Sequence, residues 1–480
     1  MINSTFIKKL IRVSALAVLI SAILMTDLNA QTTTTKNRWK NAGITGGMPS
    51  IPSNVASHSA TIKVTTKTAG AINEAIASAA KNNSKKYVYL PNGTYAVNTT
   101  INMSAGVYLV GQSRTGVVLE LKNKSKDGIV FDGDSNSGLY NLTMQGKFYG
   151  DKVPPENWGC STCTYDEDNK SKSIRVVSSK NVLIRNVDVI NSGNHTIWLG
   201  PTATHVTVFN TKIKGCYNTG RGTQGYFMIM GKDNLITQCE VENIRHISIQ
   251  GSSAEYNVIY NNTKLKQEIS FHADDNGNNL IEANTITLPS GMPDGYYAIM
   301  GTWSTSHSKS RKNNFIYRNN CIMNNQTVKR LYAGQYGTNA KVFVGPIDGK
   351  KEAIAAGRTY DHTKNFKSNG TSPSKLYSGS PNSRLVIEED LQEDLASTEG
   401  FKVFPNPSNG LINIQLPGDT DSIQIEIYDQ TGTKVFVKEY QSIEDGQLLL
   451  DLTGQLIIGT YIVKASDGIQ SYSSRIIISQ

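Results

Sequence analysis

The chain repeats a short pattern between Asn136 and Asn319, and this repeat limits the possible folds more than any other feature. From residue 181 onward the copies start 24, 29, 23, 22 and 35 residues apart, with almost no helical periodicity between them. Short β-branched strands at such a period, with occasional insertions, are typical of a parallel β-helix. A leucine-rich repeat has a similar period, but its regular leucine frame is missing. The copies are NSGLYN (136–141), NVLIRN (181–186), HVTVFN (205–210), NLITQC (234–239), NVIYNN (257–262), NLIEAN (279–284) and NFIYRN (314–319).

Most copies of the repeat end in asparagine. A residue at the same position of every coil stacks on its neighbours, and an asparagine amide can both donate to and accept from the next one. The pattern therefore predicts a buried asparagine ladder along the coils, which Cys239 would interrupt.

The segment AGAINEAIASAAKNN, residues 69–83, is the one clear amphipathic helix, because Ala and Ile recur in it at helical spacing. It precedes KYVYLPNGTYAV and GVYLVGQ, where strands begin. A helix at this place can cover the open end of the stack and protect exposed strand edges. The predicted fold is all-β: a right-handed parallel β-helix with an N-terminal capping helix, followed by a small C-terminal antiparallel β-sandwich.

The termini and the local composition divide the chain into parts. Residues 1–30 have a basic start, a short apolar run and a small residue at the end, which is typical of a signal peptide. No later segment has the roughly 18 apolar residues that a membrane helix needs. We therefore expect a protein without a membrane span that is secreted or lies on the cell surface. The predicted parts are a β-helix domain (31–366), a flexible linker (367–400) and a C-terminal domain of strands and turns (401–480).

The charge balance indicates the kind of partner. The net charge is +9 and the sequence pI is about 9.0, which favours an anionic partner. Nucleic acid is not expected, because the protein is exported and has no basic tract. An acidic polysaccharide outside the cell fits better, and we expect a monomer to bind it.

Metal ligands are only weakly indicated. The chain has five cysteines, so at least one thiol has no partner within the chain. Cys160 and Cys163 form a C-x-x-C pair that no second pair completes to a zinc set, and a disulfide is the favoured interpretation. Asp132, Asp134 and Asn136 alternate like the start of a calcium loop, but no Glu follows at the twelfth position. We expect no metal site and no cofactor, with calcium as the weaker alternative.

Two segments 22 residues apart, RHISIQG (245–251) and QEISFHA (267–273), superpose on one another. The shift brings Ile247 over Ile269 and Ile249 over Phe271. These apolar residues should point inward, because successive strand residues alternate between the two faces of a sheet.

The polar residues between them should point outward from neighbouring strands, about 4.8 Å apart. This predicts His246 beside Glu268 and Gln250 beside His272. Outward residues are often simply solvated, yet histidine and carboxylate side chains in one patch are the groups that acid–base catalysis uses. We therefore predict a functional site. The predicted catalytic residues are His246, Glu268, His272, Asp274 and Asp275, and the predicted substrate-binding residues beside them are Arg245, Gln250, Lys264 and Lys266.

Two resemblances follow from these patterns. The coils, the helix and the phrase YLPNGTYAV resemble the pectate-lyase-like β-helix superfamily of polysaccharide lyases and hydrolases, over roughly residues 56–327. The segments FKVFPNPSNGLINIQL, IEIYDQTGTKVF and LDLTGQLIIGTYIVKASDG resemble the type A sorting domain of the type IX secretion system of Bacteroidota. The first resemblance implies a polysaccharide substrate. The second implies delivery outside the outer membrane by the type IX secretion machinery, with removal of the tail.

The predicted activity is endo-hydrolysis of an acidic, sulfated algal polysaccharide such as carrageenan or fucan. A hydrolase needs two carboxyl groups, about 5–5.5 Å apart for retention or about 6.5–9.5 Å apart for inversion. Glu268, Asp274 and Asp275 could supply them, with the histidines tuning the acid. The paired Asp274 and Asp275 are similar to those of polygalacturonases, but the other motifs of that family, including Gly-His-Gly, are absent.

Two alternatives remain open. A lyase acting on a uronate polymer such as alginate, ulvan or pectate needs a group that neutralises the carboxylate, a base and an acid. Arg245 or one of the two lysines could neutralise, and His246, His272 or Tyr297 could transfer the proton. A non-catalytic glycan-binding protein would use the same basic groove. Aromatic side chains that could stack on sugar rings in each case are Trp198, Tyr296, Tyr297 and Trp303.

Overall fold

A computed structural model of the chain shows two compact units. One unit comprises Met1–Thr45 and Ser53–Gly379, and the other comprises Gly46–Pro52 and Ser380–Gln480. The predicted signal peptide and the Cys160–Cys163 pair lie outside the described residues. The described residues are 34–156, 164–220, 224–289, 297–302, 304–327, 331–333, 342–347, 350–354, 359–360, 376–379, 384–385, 401–416, 420–429, 434–443, 446–466 and 471–479.

In the first unit most short strands pair in parallel with the strand one coil further on, so that three faces surround an apolar interior. The last strands of the coils pair antiparallel. The first face is a sheet of its own, and only its last strand pairs antiparallel. Its strands are β5 (Ile101–Asn102), β8 (Ile129–Asp132), β10 (Ile174–Val177), β12 (Ile197–Leu199), β15 (Tyr226–Ile229), β18 (His246–Gln250), β21 (Ile269–Ala273), β24 (Ile299–Met300), β28 (Tyr332–Ala333) and β31 (Thr359–Tyr360).

The second and third faces belong to one sheet, because two long strands run through both of them. A single residue with positive φ turns the chain between the faces, and asparagine, which tolerates this conformation, occupies that position in both strands (Asn141 and Asn186). The strands are β2 (Thr61–Lys63), β3 (Tyr87–Leu90), β4 (Gly93–Val97), β6 (Tyr108–Gly111), β7 (Val117–Leu121), β9 (Ser137–Gly146), β11 (Val182–Ser192), β13 (Thr207–Phe209), β14 (Lys212–Cys216), β16 (Leu235–Thr237), β17 (Glu240–Glu242), β19 (Val258–Tyr260), β20 (Lys264–Lys266), β22 (Leu280–Glu282), β23 (Thr285–Leu288), β25 (Asn314–Tyr317), β26 (Asn320–Met323), β27 (Gln326–Thr327), β29 (Val342–Ile347) and β30 (Lys350–Ile354).

The interior is a stack of apolar side chains that follows the axis of the coils. On the first face, Ile129, Ile174, Ile197, Phe227 and Ile247 occupy the same position of successive strands and are almost fully buried. Each such side chain contributes about 1.5–3 kcal/mol when it leaves water. The predicted parallel β-helix is confirmed, and this stack is what stabilises it.

The predicted asparagine ladder is present as two separate rows. In the first row, which is not fully buried, Asn186 Nδ2 donates to Asn141 Oδ1 at 3.4 Å and Asn210 Nδ2 donates to Asn186 Oδ1 at 2.8 Å. The second row is buried. Asn262 Nδ2 donates to Asn284 Oδ1 at 2.8 Å, and Asn284 Nδ2 donates to Asn319 Oδ1 at 2.9 Å. Cys239 stands at the end of this second row rather than within it, and its backbone N–H donates to Asn262 Oδ1 at 2.8 Å. In the preceding coil Asn210 lies opposite Gln238, because Phe209 pairs with Thr237. The sequence alignment therefore placed the first three copies one residue out of register with the later four.

A further buried ladder, which the sequence analysis did not predict, runs through the opening asparagines of the later copies. Asn234 Nδ2 donates to Asn257 Oδ1, and Asn257 Nδ2 donates to Asn279 Oδ1, both at 2.9 Å. Asn279 Nδ2 continues to Asn314 Oδ1 at 3.0 Å. Because every amide is satisfied by its neighbour, the buried polar row costs little and fixes the register of the coils.

The predicted capping helix is confirmed, although it ends two residues early. Residues 34–40 form helix α1, and helix α2 spans Ala69–Lys81. Thr68 Oγ1 caps α2 by accepting from Ala71 N at 3.3 Å, and Ile72 and Ile76 are buried against the end of the core. Within the described residues, no helix has the length and apolar character that a bilayer crossing needs.

Part of the predicted linker packs on the β-helix. Leu376 and Tyr377 are buried next to Trp39, and their backbone N–H groups donate to the buried carboxylate of Glu282 at 3.0 and 2.7 Å. Residues 376–379 belong to the first unit, and two of their N–H groups help to satisfy the buried carboxylate of Glu282, which also lies 3.7 Å from Arg318 Nη1.

The second unit contains the predicted antiparallel strands. One sheet has three strands and the other four, and they share a core that includes Ile425, Ile427, Val463 and Ile476. A short parallel pair of strands also belongs to this unit. The strands are β1 (Met48–Pro49), β32 (Arg384–Leu385), β33 (Lys402–Phe404), β34 (Leu411–Gln415), β35 (Thr420–Asp429), β36 (Lys434–Ile443), β37 (Gln447–Asp451), β38 (Gly459–Ser466) and β39 (Ser471–Ile478).

Candidate active site

The predicted pairing of β18 with β21 is correct up to a β-bulge. Ile247 pairs with Ile269, and Ile249 pairs with Phe271, as predicted. The register then shifts, so that Gln250 pairs with Ala273. The prediction that Gln250 lies beside His272 was wrong, because the bulge inserts one residue into β21. Gln250 is buried and accepts from Ser248 Oγ at 3.1 Å.

His246 and Glu268 form a close pair on the outer side of the first face, as the register predicted. Nδ1 of His246 contacts Oε1 of Glu268, and Gln267 Nε2 donates to the other carboxylate oxygen. The Glu268 side chain is only 1% exposed, whereas the His246 side chain is 15% exposed. Ser248 and Ser270, which point to the same side, are also buried. This patch is therefore not a solvated strand face.

Tyr226 lies next to His246, on the preceding strand of the first face. It occupies the position of β15 opposite His246, and its hydroxyl lies 3.1 Å from His272 Nε2. Burial raises the pKa of Tyr226 to about 12, with the Arg245 guanidinium opposing the shift. Burial also lowers the pKa of His272 to about 2, and His246, His307 and Arg245 add to that shift. The His272 ring is therefore neutral across the physiological range.

The aromatic and imidazole rings form a compact group. The ring centroids are 4.9 Å apart for Tyr226 and His246, 5.4 Å for His246 and His272, and 4.5 Å for His272 and His307. The sequence analysis did not select Tyr226 or His307. The alternation of Tyr226-Phe227-Met228-Ile229 could have revealed the tyrosine. His307 lies in an insertion outside the repeat, where no periodic signal exists.

Arg245 lies at the edge of this group. Its guanidinium carbon is 5.4 Å from the centroid of the Tyr226 ring, and Nη1 contacts the carbonyl oxygen of Gly220. Two buried nitrogens of the group, Arg245 Nε and His272 Nδ1, have no hydrogen-bond partner among the described residues. Buried polar atoms without partners are uncommon and are found at functional sites.

The two adjacent aspartates contact other parts of the molecule. Asp274 forms a two-point ion pair with Arg311, with both N–O distances at 2.8 Å. Asp275 is fully buried and accepts from Asn314 Nδ2 at 2.8 Å and from Ser310 Oγ at 2.5 Å. Burial raises the pKa of Asp275 to about 6, although these hydrogen bonds oppose the shift. Neither carboxylate joins Glu268 in the contacts that the structure gives them.

Lys264 and Lys266 lie on a different face from the histidines. Both belong to β20 of the third face, where Lys264 pairs with Glu240 and Lys266 with Glu242. Their Nζ atoms lie 2.5 and 3.1 Å from these carboxylates, and all four side chains are at least partly exposed. The prediction that the lysines flank the histidine patch was wrong, because the chain turns to a new face between Lys266 and Glu268.

The predicted aromatic residues are only partly described. Trp198 is half-buried on the outer side of the first face, with the guanidinium carbon of Arg175 5.9 Å from its ring centroid. In register it pairs with Met228, which pairs with Ser248 of the site strand. Tyr297 is half-buried, and Tyr296 and Trp303 lie outside the described residues.

Metal ligation has little support in the part of the chain that the structure describes. No group of three or more His, Cys, Asp or Glu side chains there is arranged to hold a metal ion. Near the predicted calcium loop, the Asp134 carboxylate accepts from Asp132 N at 3.0 Å. The described cysteines Cys216, Cys239 and Cys321 are buried in the core, and burial raises the pKa of the Cys216 and Cys239 thiols.

Two family models match the chain. Residues 53–291 match the family described as rhamnogalacturonase A/epimerase, pectate lyase-like, and residues 402–479 match the secretion system C-terminal sorting domain. No curated protein sequence matches significantly. The chain therefore carries a pectate-lyase-like domain and ends in a sorting domain, which marks a secreted or cell-surface protein. Both predicted resemblances and the predicted location are confirmed.

Solved structures that match the chain share little sequence with it. An exopolygalacturonase from Thermotoga maritima is 11% identical over 68% of this chain and 99% of its own, with a TM-score of 0.38. The surface protein and adhesin PfbA of Streptococcus pneumoniae is 12% identical over 59% and 91%, with a TM-score of 0.37. An α-1,3-glucanase from Streptomyces thermodiastaticus is 13% identical over 62% and 53%, with a TM-score of 0.30.

Proposed function

We propose that the protein degrades an acidic polysaccharide by β-elimination at a uronate residue, with His246 as the base. The observation that carries this proposal is the pair of a partly exposed imidazole and a fully buried carboxylate, His246 and Glu268. A carboxylate bonded to Nδ1 fixes the histidine tautomer, leaves Nε2 free to take a proton and stabilises the imidazolium that forms. The net positive charge of the chain suits a polyanionic substrate.

Two residues at the site would supply two of the three parts that elimination needs, the neutralising group and the base. Arg245 would pair with the uronate carboxylate and stabilise the negative charge that develops when the proton leaves C5. His246 Nε2 would take that proton, the C4–C5 double bond would form, and the C4–O4 bond would break with its electron pair on O4. O4 then takes up a proton, so no water is added. The products are a chain with a new reducing end and a chain that begins with an unsaturated uronate.

Hydrolysis, the activity favoured by the sequence, has less geometric support. A pair of carboxyl groups must face the glycosidic bond from about 5–9.5 Å apart. Glu268 is buried behind His246, Asp274 is bound to Arg311, and Asp275 is buried among Ser310 and Asn314. Hydrolysis of a sulfated polymer such as carrageenan or fucan therefore remains the competing proposal.

Digestion of five polymers by the full chain tests this proposal. Alginate, polygalacturonate, ulvan, carrageenan and fucoidan are incubated with the protein, and new reducing ends are measured together with the ultraviolet absorbance of the C4–C5 double bond. We expect both signals to rise together on one of the uronate polymers. Reducing ends without absorbance would contradict elimination and support hydrolysis. Binding of a polymer without either signal would contradict both activities.

A further inference from the structure

The loop that leads from β24 to β25 carries His307 to the site. The ring of His307 lies 4.5 Å from the ring of His272, and its side chain is half-buried. His272 in turn lies 5.4 Å from His246. The neutral ring of His272 therefore has two other imidazoles as neighbours, one on a strand of the first face and one on a loop.

Asp274 holds one part of this loop. Its backbone N–H donates to the carbonyl oxygen of Ser308 at 2.8 Å, directly after His307 in the chain. Its carboxylate binds Nε and Nη2 of Arg311, each at 2.8 Å. Such a two-point pair fixes the direction of the guanidinium as well as its distance. Asp274 takes up a positive φ of 55° at the end of β21, which turns it away from the strand and toward the loop.

Asp275, which is fully buried, contacts the same loop from the interior of the protein. Its carboxylate accepts from Ser310 Oγ, and its backbone carbonyl accepts from Arg311 N at 2.8 Å. It also accepts from Asn314 and Asn279, which belong to the ladder of opening asparagines. The two adjacent aspartates therefore tie residues 308–311 to the end of the strand that carries His272.

The elimination described above lacks one part, the acid that protonates O4. His272 is a poor candidate, because its ring is neutral and its Nε2 is engaged with the Tyr226 hydroxyl. Tyr226 itself is fully buried. His307 is half-buried and belongs to the same group of rings as His246, so it can approach the leaving O4 next to the abstracted proton.

We propose that His307 is a further catalytic residue, which donates the proton to the leaving O4, and that Asp274 and Arg311 position it. This inference rests on the proposed function. The proton balance closes within one turnover: His246 gains the C5 proton, His307 loses its own to O4, and solvent restores both rings.

Steady-state kinetics of matched variants test this inference on whichever of the five polymers is cut fastest. His307→Gln should lower kcat by about 100-fold with little change in KM, and should remove the alkaline limb of the pH profile, which reports the acid. Asp274→Asn should lower kcat by about tenfold, because it loosens the loop without removing the acid. The double variant should be no slower than His307→Gln alone, since the aspartate acts only through the histidine.

Two controls match these variants. His205→Gln removes a half-buried imidazole that contacts the carbonyl oxygen of Gly43, and Lys312→Gln removes an ion pair with Glu255 next to Arg311. Both should keep wild-type kcat, and thermal unfolding of each variant should show that it is folded.

The outcomes separate the two proposals. If His246→Gln is inactive but His307→Gln keeps wild-type kcat and both limbs of the pH profile, the role of His307 is wrong and the proposed function stands. If His246→Gln is fully active, the proposed function itself is contradicted. If Asp274→Asn slows the His307→Gln background further, Asp274 does not act through His307.

Discussion

Two faces of the same coils present paired ionisable residues on neighbouring strands, yet their surroundings differ. On the first face His246 meets Glu268, whose side chain is 1% exposed. On the third face Lys264 meets Glu240, and their side chains are 68% and 40% exposed. A pair in water contributes little, because solvent screens both charges, whereas a buried pair is costly to expose or to break. Burial, more than charge, therefore distinguishes the candidate site from the ordinary surface of the β-helix.

The largest expected difference between the two faces is in activity. Glu268→Gln removes the charge that supports His246, and we expect kcat to fall by at least about 100-fold. Glu240→Gln removes the corresponding carboxylate of the third face and should leave kcat unchanged. Equal rates for the two variants on the polymer cut fastest would show that burial does not identify the site.

Stability should show the second contrast. Glu268→Ala leaves His246 and Gln267 without their partner in a buried place, and we expect a loss on the order of 3 kcal/mol in the free energy of unfolding. Glu240→Ala should cost less than about 1 kcal/mol. Urea unfolding of both variants measures the difference, and similar losses would contradict the assigned burial.

The buried carboxylate of Asp275, which holds the loop that carries His307, predicts an effect of intermediate size on the pH dependence of the free energy of unfolding. Because burial raises the pKa of Asp275 to about 6, above its value in the unfolded chain, the folded protein holds this proton more tightly. The resulting stability is present in acid and is lost as the pH rises to about 6. Relative to Asp275→Asn, the wild type should lose on the order of 2 kcal/mol between about pH 4 and about pH 7. Parallel pH profiles for the two proteins would exclude this role.

The smallest effects should come from the lysines of the third face. Lys264→Gln and Lys266→Gln each break an exposed ion pair and should change the free energy of unfolding by less than about 0.5 kcal/mol. The rates should also be unchanged, and a rise in salt concentration should reduce even this small effect. A marked rise in KM for either variant would instead indicate that the lysines bind the substrate.

The sequence was sufficient for the coils, because a periodic fold leaves a periodic signal. The 22-residue shift paired Ile247 with Ile269 and brought His246 to Glu268 correctly. It failed at Gln250, because a bulge adds a residue without any change in pattern. It also assigned the lysines to the wrong face, since proximity in sequence does not show where a coil turns. His307 was missed because an insertion has no repeat, and its position depends on contacts with Asp274 and Asp275 that only the fold creates.

The most direct test of the account compares His246→Gln with Lys266→Gln on the uronate polymer that the wild type cuts fastest, by the initial rate of double-bond formation. The sequence predicts both residues in one patch, but they lie on different faces of the β-helix. We predict a loss of at least about 100-fold for His246→Gln and a wild-type rate for Lys266→Gln. A full rate for His246→Gln, or formation of reducing ends without double bonds, would contradict the account.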